Sequence, residues 1–114
     1  MAIGVDIEDI DRFVGKSENF YKKIFTASEI EYCQNFSNPE SHFAGRFCAK
    51  EAVVKALTSL GIVGVSYKEI EVFHNSLRCP QIRILRNLEK DINFELSLSH
   101  DRTKAVAFVT AIIQ

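Results

Sequence analysis

Apolar and polar side chains alternate over residues 2–10, with Ile3, Val5 and Ile7 on one side and Gly4, Asp6 and Glu8 on the other. This period of two predicts a strand that carries Asp6 and Glu8 on one face. Residues 12–23 are polar and predict a helical or irregular connection. Thr26-Ala-Ser-Glu29 reads as a helix start, a hydroxyl cap followed three residues later by a glutamate. A short helix through Gln34 follows. Asn38-Pro39 signals a turn, and Ser41 can cap a long helix from about His42 to Leu60, stopped by Gly61. Phe43, Phe47, Val54 and Leu57 recur near helical spacing in it, and Ala44, Ala49, Ala52 and Ala56 permit close packing.

The second half alternates again. Strands are predicted at Glu69–Phe73 and Gln81–Leu85 with a turn over 75–80, then at Phe94–His100 and Lys104–Ile113 around a turn at Asp101-Arg-Thr. Residues 86–91 predict one or two helical turns. The expected architecture is α+β: an early strand, a helical section with one dominant helix, and an antiparallel meander. The length, 114 residues, predicts one domain spanning 1–114.

Composition narrows the function classes. Hydrophobic residues make up 46% and charged residues 25%, as in an ordinary folded domain. A net charge of −1 gives no bulk electrostatic case for nucleic acid. No apolar run approaches the ~18 residues of a membrane span. The acidic N-terminus lacks the basic start of a signal peptide. Cys33, Cys48 and Cys79 share no metal-like spacing and read as reduced thiols of a cytoplasmic protein. Nine phenylalanines supply apolar area for a core, and some of it could serve a subunit interface.

The chemistry concentrates in Phe43–Leu57, F-A-G-R-F-C-A-K-E-A-V-V-K-A-L. One carboxylate, Glu51, stands among three cations, Arg46, Lys50 and Lys55. Glu51 and Lys55 are one turn apart, which by itself fits a surface ion pair worth about 0.3–0.5 kcal/mol. The apolar company of Phe47, Ala52 and Ala56 argues against an open face. Mg²⁺ takes one or two carboxylates together with phosphate oxygens and waters, and Asp6 with Glu51 would suit it if the strand meets the helix. Arg46 could clamp phosphate in two-pronged fashion, with Lys50 or Lys55 as point charges. Asp6 could equally belong to a solvated edge, and His100, at a strand end, could be structural. The basic stretch Arg12, Lys16, Lys22 and Lys23 is either a solvated surface or a docking site for an acidic protein.

Three segments in order, G-V-D-I-E-D-I-D-R-F at 4–13, F-A-G-R-F-C-A-K-E-A-V-V-K-A-L at 43–57 and L-S-L-S-H-D-R-T-K-A-V-A-F-V at 96–109, resemble the holo-[acyl-carrier-protein] synthase family of 4′-phosphopantetheinyl transferases. The resemblance implies transfer of the 4′-phosphopantetheine arm of coenzyme A to a serine of apo acyl carrier protein, in support of fatty acid biosynthesis. It implies Mg²⁺ on Asp6 and Glu51, an active-site lysine at Lys55, and Glu51 as candidate base. It places Arg46, Lys50 and His100 along the coenzyme A phosphates and Arg12 and Lys23 toward the carrier protein. It also implies a homotrimer with active sites between subunits. Of the family's G-T-G-like turn after the long helix, Ser59-Leu60-Gly61 keeps only Gly61, carried over as a coenzyme A contact. The family's G-K-P turn is here Arg78-Cys79-Pro80. Two readings compete: a Mg²⁺-dependent nucleotide pyrophosphohydrolase, and a trimeric binding module without catalysis.

Overall fold

The alternating N-terminal segment forms strand β1, Ala2–Asp9, in a computed structural model that describes all 114 residues. A 3₁₀ turn at Ile10–Phe13 follows. Helix α1 spans Glu18–Ile24, where Ser17 Oγ accepts from the Phe20 amide at 3.2 Å. Helix α2 spans Ala27–Gln34 and has the expected reciprocal cap between Thr26 and Glu29.

The long helix α3 spans Pro39–Ser59, starting three residues before the predicted His42. Pro39 opens it rather than marking a separate turn, because its fixed φ is pre-set for the first helical position, where an N–H is dispensable. Ser41 is therefore not the cap. Its hydroxyl donates back to the Asn38 carbonyl at 3.1 Å. At the other end Gly61 takes φ +81. The Ile62 amide reaches Leu57 O at 2.9 Å and the Gly61 amide reaches Thr58 O at 3.0 Å, the paired closure that a left-handed glycine allows.

The remaining strands are β2 (Ile70–His74), β3 (Pro80–Ile84), β4 (Ile92–His100) and β5 (Lys104–Ile113). They do not form the single meander expected. β1 joins the C-terminal hairpin in a sheet ordered β1-β5-β4, and β2-β3 is a separate two-stranded sheet. All pairings are antiparallel. Residues 86–91 form bends and irregular chain, not helix.

Helix α3 lies across the three-stranded sheet, and small residues set how closely. Ala44, Cys48, Ala49, Ala52 and Ala56 are all buried, as are Ala105, Ala107 and Ala111 on β5. Gly4 is the tightest point: a Cβ there would sit 1.9 Å from the Ala52 carbonyl oxygen. The aromatic residues fill the flank of the core away from this contact. Tyr21 and Phe43 stack at 4.0 Å, and Phe13 packs on Phe47 at 5.6 Å. Gly4→Ala is expected to force β1 off the helix and to destabilise the fold by about 1–3 kcal/mol. Urea unfolding measures this, and an unchanged midpoint would show that β1 does not need the close approach.

The close approach decides which face of β1 turns inward. Gly4, Asp6 and Glu8 face α3, and Ile3, Val5 and Ile7 point outward, with exposures of 57%, 54% and 62%. Phe108 pairs with Val5 in register and extends this apolar outer face, as does Ile112 further along β5.

Candidate active site

The inward face of β1 and the middle of α3 bring four sequence candidates into one neighbourhood. Lys55 Nζ donates to the Val5 carbonyl at 2.9 Å and lies 3.4 Å from Asp6 Oδ1. The Asp6 side chain is 10% exposed, and its second oxygen, Oδ2, is buried without a hydrogen-bond partner. Glu8, two residues on and on the same face, accepts a hydrogen bond from Arg12. Burial raises the Glu8 carboxyl above the usual range, the neighbouring Asp6 adds to this, and Arg12 opposes it. Two neighbouring carboxylates in a half-buried cleft hold negative charge at a cost unless a cation joins them.

Glu51 completes the group from α3. Its carboxylate accepts a hydrogen bond from the Tyr67 hydroxyl, which approaches from the loop after the helix. That bond, then burial, then the Glu51 charge push Tyr67 up to about 12. The Tyr67 hydroxyl also feels the charges of Glu8 and Arg12. Arg12 closes the side, with its guanidinium 5.1 Å above the Phe47 ring. No cluster of three or more metal-binding side chains is present; a hard cation such as Mg²⁺ takes one or two carboxylates together with phosphate oxygens and waters. The orphaned Asp6 Oδ2 is the feature that fits such an ion most directly.

A second pocket opens beside the first turns of α3. Arg46, His100, His74 and His42 line it. Arg46 is 3% exposed, with its guanidinium 4.0 Å over the Tyr32 ring and Nη2 3.1 Å from His74 Nδ1. His100 is exposed at the end of β4, with Nδ1 donating to the Asp101 carbonyl at 3.1 Å. Arg46 and His100 thus line one pocket.

Lys50 is a correction. It is fully buried, 2.8 Å from Glu29 Oε1, and donates to the carbonyls of Tyr67 and Ile70. No donor is left for a phosphate, so Lys50 is a structural cation and not a coenzyme A ligand. Burial lowers its ammonium and the Glu29 carboxylate opposes this. Gly61 is also set apart: it borders a different cavity, with Ile62, Val65, Arg86 and Lys90. Lys23 is exposed in the last turn of α1. The thiols take no part. Burial pushes Cys33 and Cys48 up to about 12, with Asp6 and Glu8 adding to the shift at Cys48.

Residues 2–111 match the 4′-phosphopantetheinyl transferase superfamily. The chain belongs to this family. A holo-[acyl-carrier-protein] synthase of Geobacter sp. (strain M21) is 39% identical over 116 residues, covering 93% of each chain. That of Chlamydia caviae is 40% identical over 119 residues, covering 97% of this chain and 96% of its own. Among solved structures, the Bacillus anthracis holo-(acyl-carrier-protein) synthase in complex with CoA (3′,5′-ADP) is similar at TM-score 0.79 and 32% identity, covering 98% of this chain and 95% of that one.

Within the family's fold, the sequence reading missed Tyr67 and the full part of Glu8. Glu8 carried a signal, since a period of two put it beside Asp6 on one face. Tyr67 carried none: it sits 16 residues from Glu51, and only the turn after α3 returns it to the helix. Tyr32, His42 and His74 were likewise unmarked.

Proposed function

We propose that this protein transfers the 4′-phosphopantetheine group of coenzyme A to a serine of apo acyl carrier protein, releasing adenosine 3′,5′-bisphosphate. The observation that carries this reading is the meeting of Asp6 and Lys55 where β1 crosses α3, one helical turn from Glu51, in a chain that belongs to the transferase family. The serine oxygen forms a bond to the β-phosphorus of coenzyme A. The bond from that phosphorus to the bridging oxygen breaks, and the bisphosphate leaves. The serine proton passes to Glu51, whose carboxylate Tyr67 holds in place from the opposite side. Asp6 and Glu51 would hold Mg²⁺, whose chemistry there is to offset charge on the pyrophosphate. Lys55 presents a cation beside them for the reacting phosphoryl oxygens, and Arg46 with His100 holds the bisphosphate end.

Arg12 and Lys23 supply positive charge for an acidic carrier protein. Arg12 does so from the rim of the site itself, with about half of its side chain exposed. No helix is long and apolar enough to cross a membrane, and three free cysteines accord with a reducing, cytoplasmic setting. Mass spectrometry of apo acyl carrier protein incubated with coenzyme A and Mg²⁺ tests the reaction. Gain of the phosphopantetheine arm on serine is the expected result. Steady hydrolysis of coenzyme A without carrier protein would overturn it in favour of a pyrophosphohydrolase.

The outer face of the β1-β5-β4 sheet supports a homotrimer with sites between subunits. Its apolar side chains Ile3, Val5, Ile7, Phe108 and Ile112 have no cover within the chain, and exposed patches of this kind mark association surfaces. Four of the nine phenylalanines, Phe13, Phe25, Phe43 and Phe47, are buried in the core instead. Ile7→Glu is expected to convert a species of about 39 kDa, three times the 12.9 kDa chain, to monomer. Transfer should fall on the order of 100-fold as groups from neighbouring subunits lose their placement. Light scattering with size exclusion reads the first effect, and a fully active monomer would exclude a shared site.

A further inference from the structure

Lys50 and Glu51 are neighbours on α3, yet their side chains leave the helix on different sides and close on one residue. Lys50 Nζ donates to the Tyr67 carbonyl at 2.8 Å. At the other end of the same residue the Tyr67 hydroxyl donates to the Glu51 carboxylate. Phe47, one turn earlier on α3, packs on the ring between these ends, with centroids 5.3 Å apart. A tyrosine side chain has two torsions, so a fixed carbonyl and a clasped ring leave its hydroxyl little freedom. That hydroxyl is pushed up to about 12, chiefly by the bond to Glu51, and so remains a donor at neutral pH.

The segment that carries Tyr67 does not set this geometry by itself. Residues 62–66 belong to no helix or strand, and Gly61, Val63, Gly64 and Ser66 are exposed. The 3₁₀ turn Tyr67–Glu69 is three residues long. Arg86 holds the segment from outside, donating to the Gly64 carbonyl at 2.8 Å and lying 3.7 Å from Glu69, in contacts open to solvent. Lys50 holds it from within. An ammonium has three N–H donors, and this one meets the carbonyls of Tyr67 and Ile70 and the Glu29 carboxylate, the last at 2.8 Å. Apolar side chains of similar volume often stabilise a core as well as a buried ion pair does, or better. What the pair adds is direction, a cation aimed at chosen oxygens. Glu29 is itself fixed by the amides of Thr26 and Val72. A chain of bonds therefore runs from Val72 through Glu29, Lys50 and Tyr67 to Glu51.

We propose that Lys50, together with Glu29, is a positioning residue of the reaction: through Tyr67 the buried pair sets the orientation of the Glu51 carboxylate. Neither Lys50 nor Glu29 touches the reacting atoms in this role. A carboxylate that must face a cation and a serine hydroxyl at once loses rate when it turns away from either. This rests on the proposed coenzyme A reaction, in which Glu51 accepts the serine proton.

A double-mutant cycle on the whole protein tests it. Lys50→Met with Glu29→Gln, Tyr67→Phe, and all three changes together are assayed for transfer at saturating Mg²⁺, below the lowest melting temperature of the set. The paired change is expected to lower kcat about tenfold, as for the loss of one orienting hydrogen bond, with the KM for coenzyme A held within about twofold. Added to Tyr67→Phe it should cost less than about a further twofold, because the path to Glu51 is already cut. Its effect on the melting temperature should persist in that background, since the Tyr67 carbonyl is still present. Parental kcat in the paired variant, a loss confined to KM, or the same fold loss with and without the Tyr67 hydroxyl would each overturn the proposal. If the paired variant does not fold, Glu29→Gln alone, which keeps the shape of its side chain, enters the same cycle. A loss of about threefold is then expected, with the same three results against it. The proposed reaction fails separately, as absence of transfer by the parent protein.

Discussion

Replacing Lys50 with Ala lowers the melting temperature by about 10–20 °C, the equivalent of the roughly 3–5 kcal/mol lost when one partner of a buried ion pair is removed. The lysine side chain is wholly enclosed, as is that of its partner Glu29. Its removal strands a carboxylate in the core and unpairs the carbonyls of Tyr67 and Ile70. Glu29 is bound on its other sides by the Thr26 amide at 2.8 Å and the Val72 amide at 2.8 Å. The pair thus ties α2, α3 and the start of β2 together at one point. Total stability of about 5–15 kcal/mol leaves little margin for such a loss. Lys50→Met combined with Glu29→Gln should be less damaging than the sum of the single changes, because the uncompensated charge is gone. Thermal melts of the three variants measure this coupling. A Lys50→Ala protein that melts like the parent but binds coenzyme A more weakly would return Lys50 to the phosphate site.

Glu51→Gln lowers transfer by about 100–1,000-fold, the usual consequence of losing a group that acts on charge in a transition state. The change keeps the shape of the side chain and an acceptor for Tyr67, so the melting temperature should hold. What goes is the negative charge that serves both cation and proton. Tyr67→Phe is the graded comparison: it removes only the bond that orients Glu51, and a loss nearer tenfold is expected, in proportion to one hydrogen bond of ~1.5 kcal/mol. Steady-state rates against Mg²⁺ concentration separate the two, since a weakened ion site is rescued by excess metal and a missing base is not. Near-parental turnover by Glu51→Gln would remove Glu51 from the chemistry altogether.

Elements whose partners lie within a few residues were legible in the sequence. The Thr26–Glu29 cap, the stop at Gly61 and the whole of β5 match their predicted places. The start of α3 was misplaced because Asn38-Pro39 fits both a turn and a helix N-terminus, and the choice depends on what the next turn packs against. The expected helix at 86–91 is absent. The site was partly legible for the same reason. Asp6, Glu51 and Lys55 stood out as residues, since strand and helix periodicity fix faces.

Which face meets what was a different matter. Alternation alone made Asp6 and Glu8 share a side of β1, and helical spacing set Lys55 one turn above Glu51. These follow from the local geometry of the backbone and need no tertiary contact. The placement of that side against α3, with the isoleucines turned outward, was decided by Gly4 and the alanines of α3 and β5, which allow the two elements to touch. The three cations of the middle of α3, Arg46, Lys50 and Lys55, likewise carried no mark along the chain of their separate surroundings. Only packing separated them, sending Lys50 inward to Glu29, Arg46 to the histidine pocket and Lys55 to Asp6. A charge takes its role from the dielectric and the partner it meets, and both are properties of the folded chain.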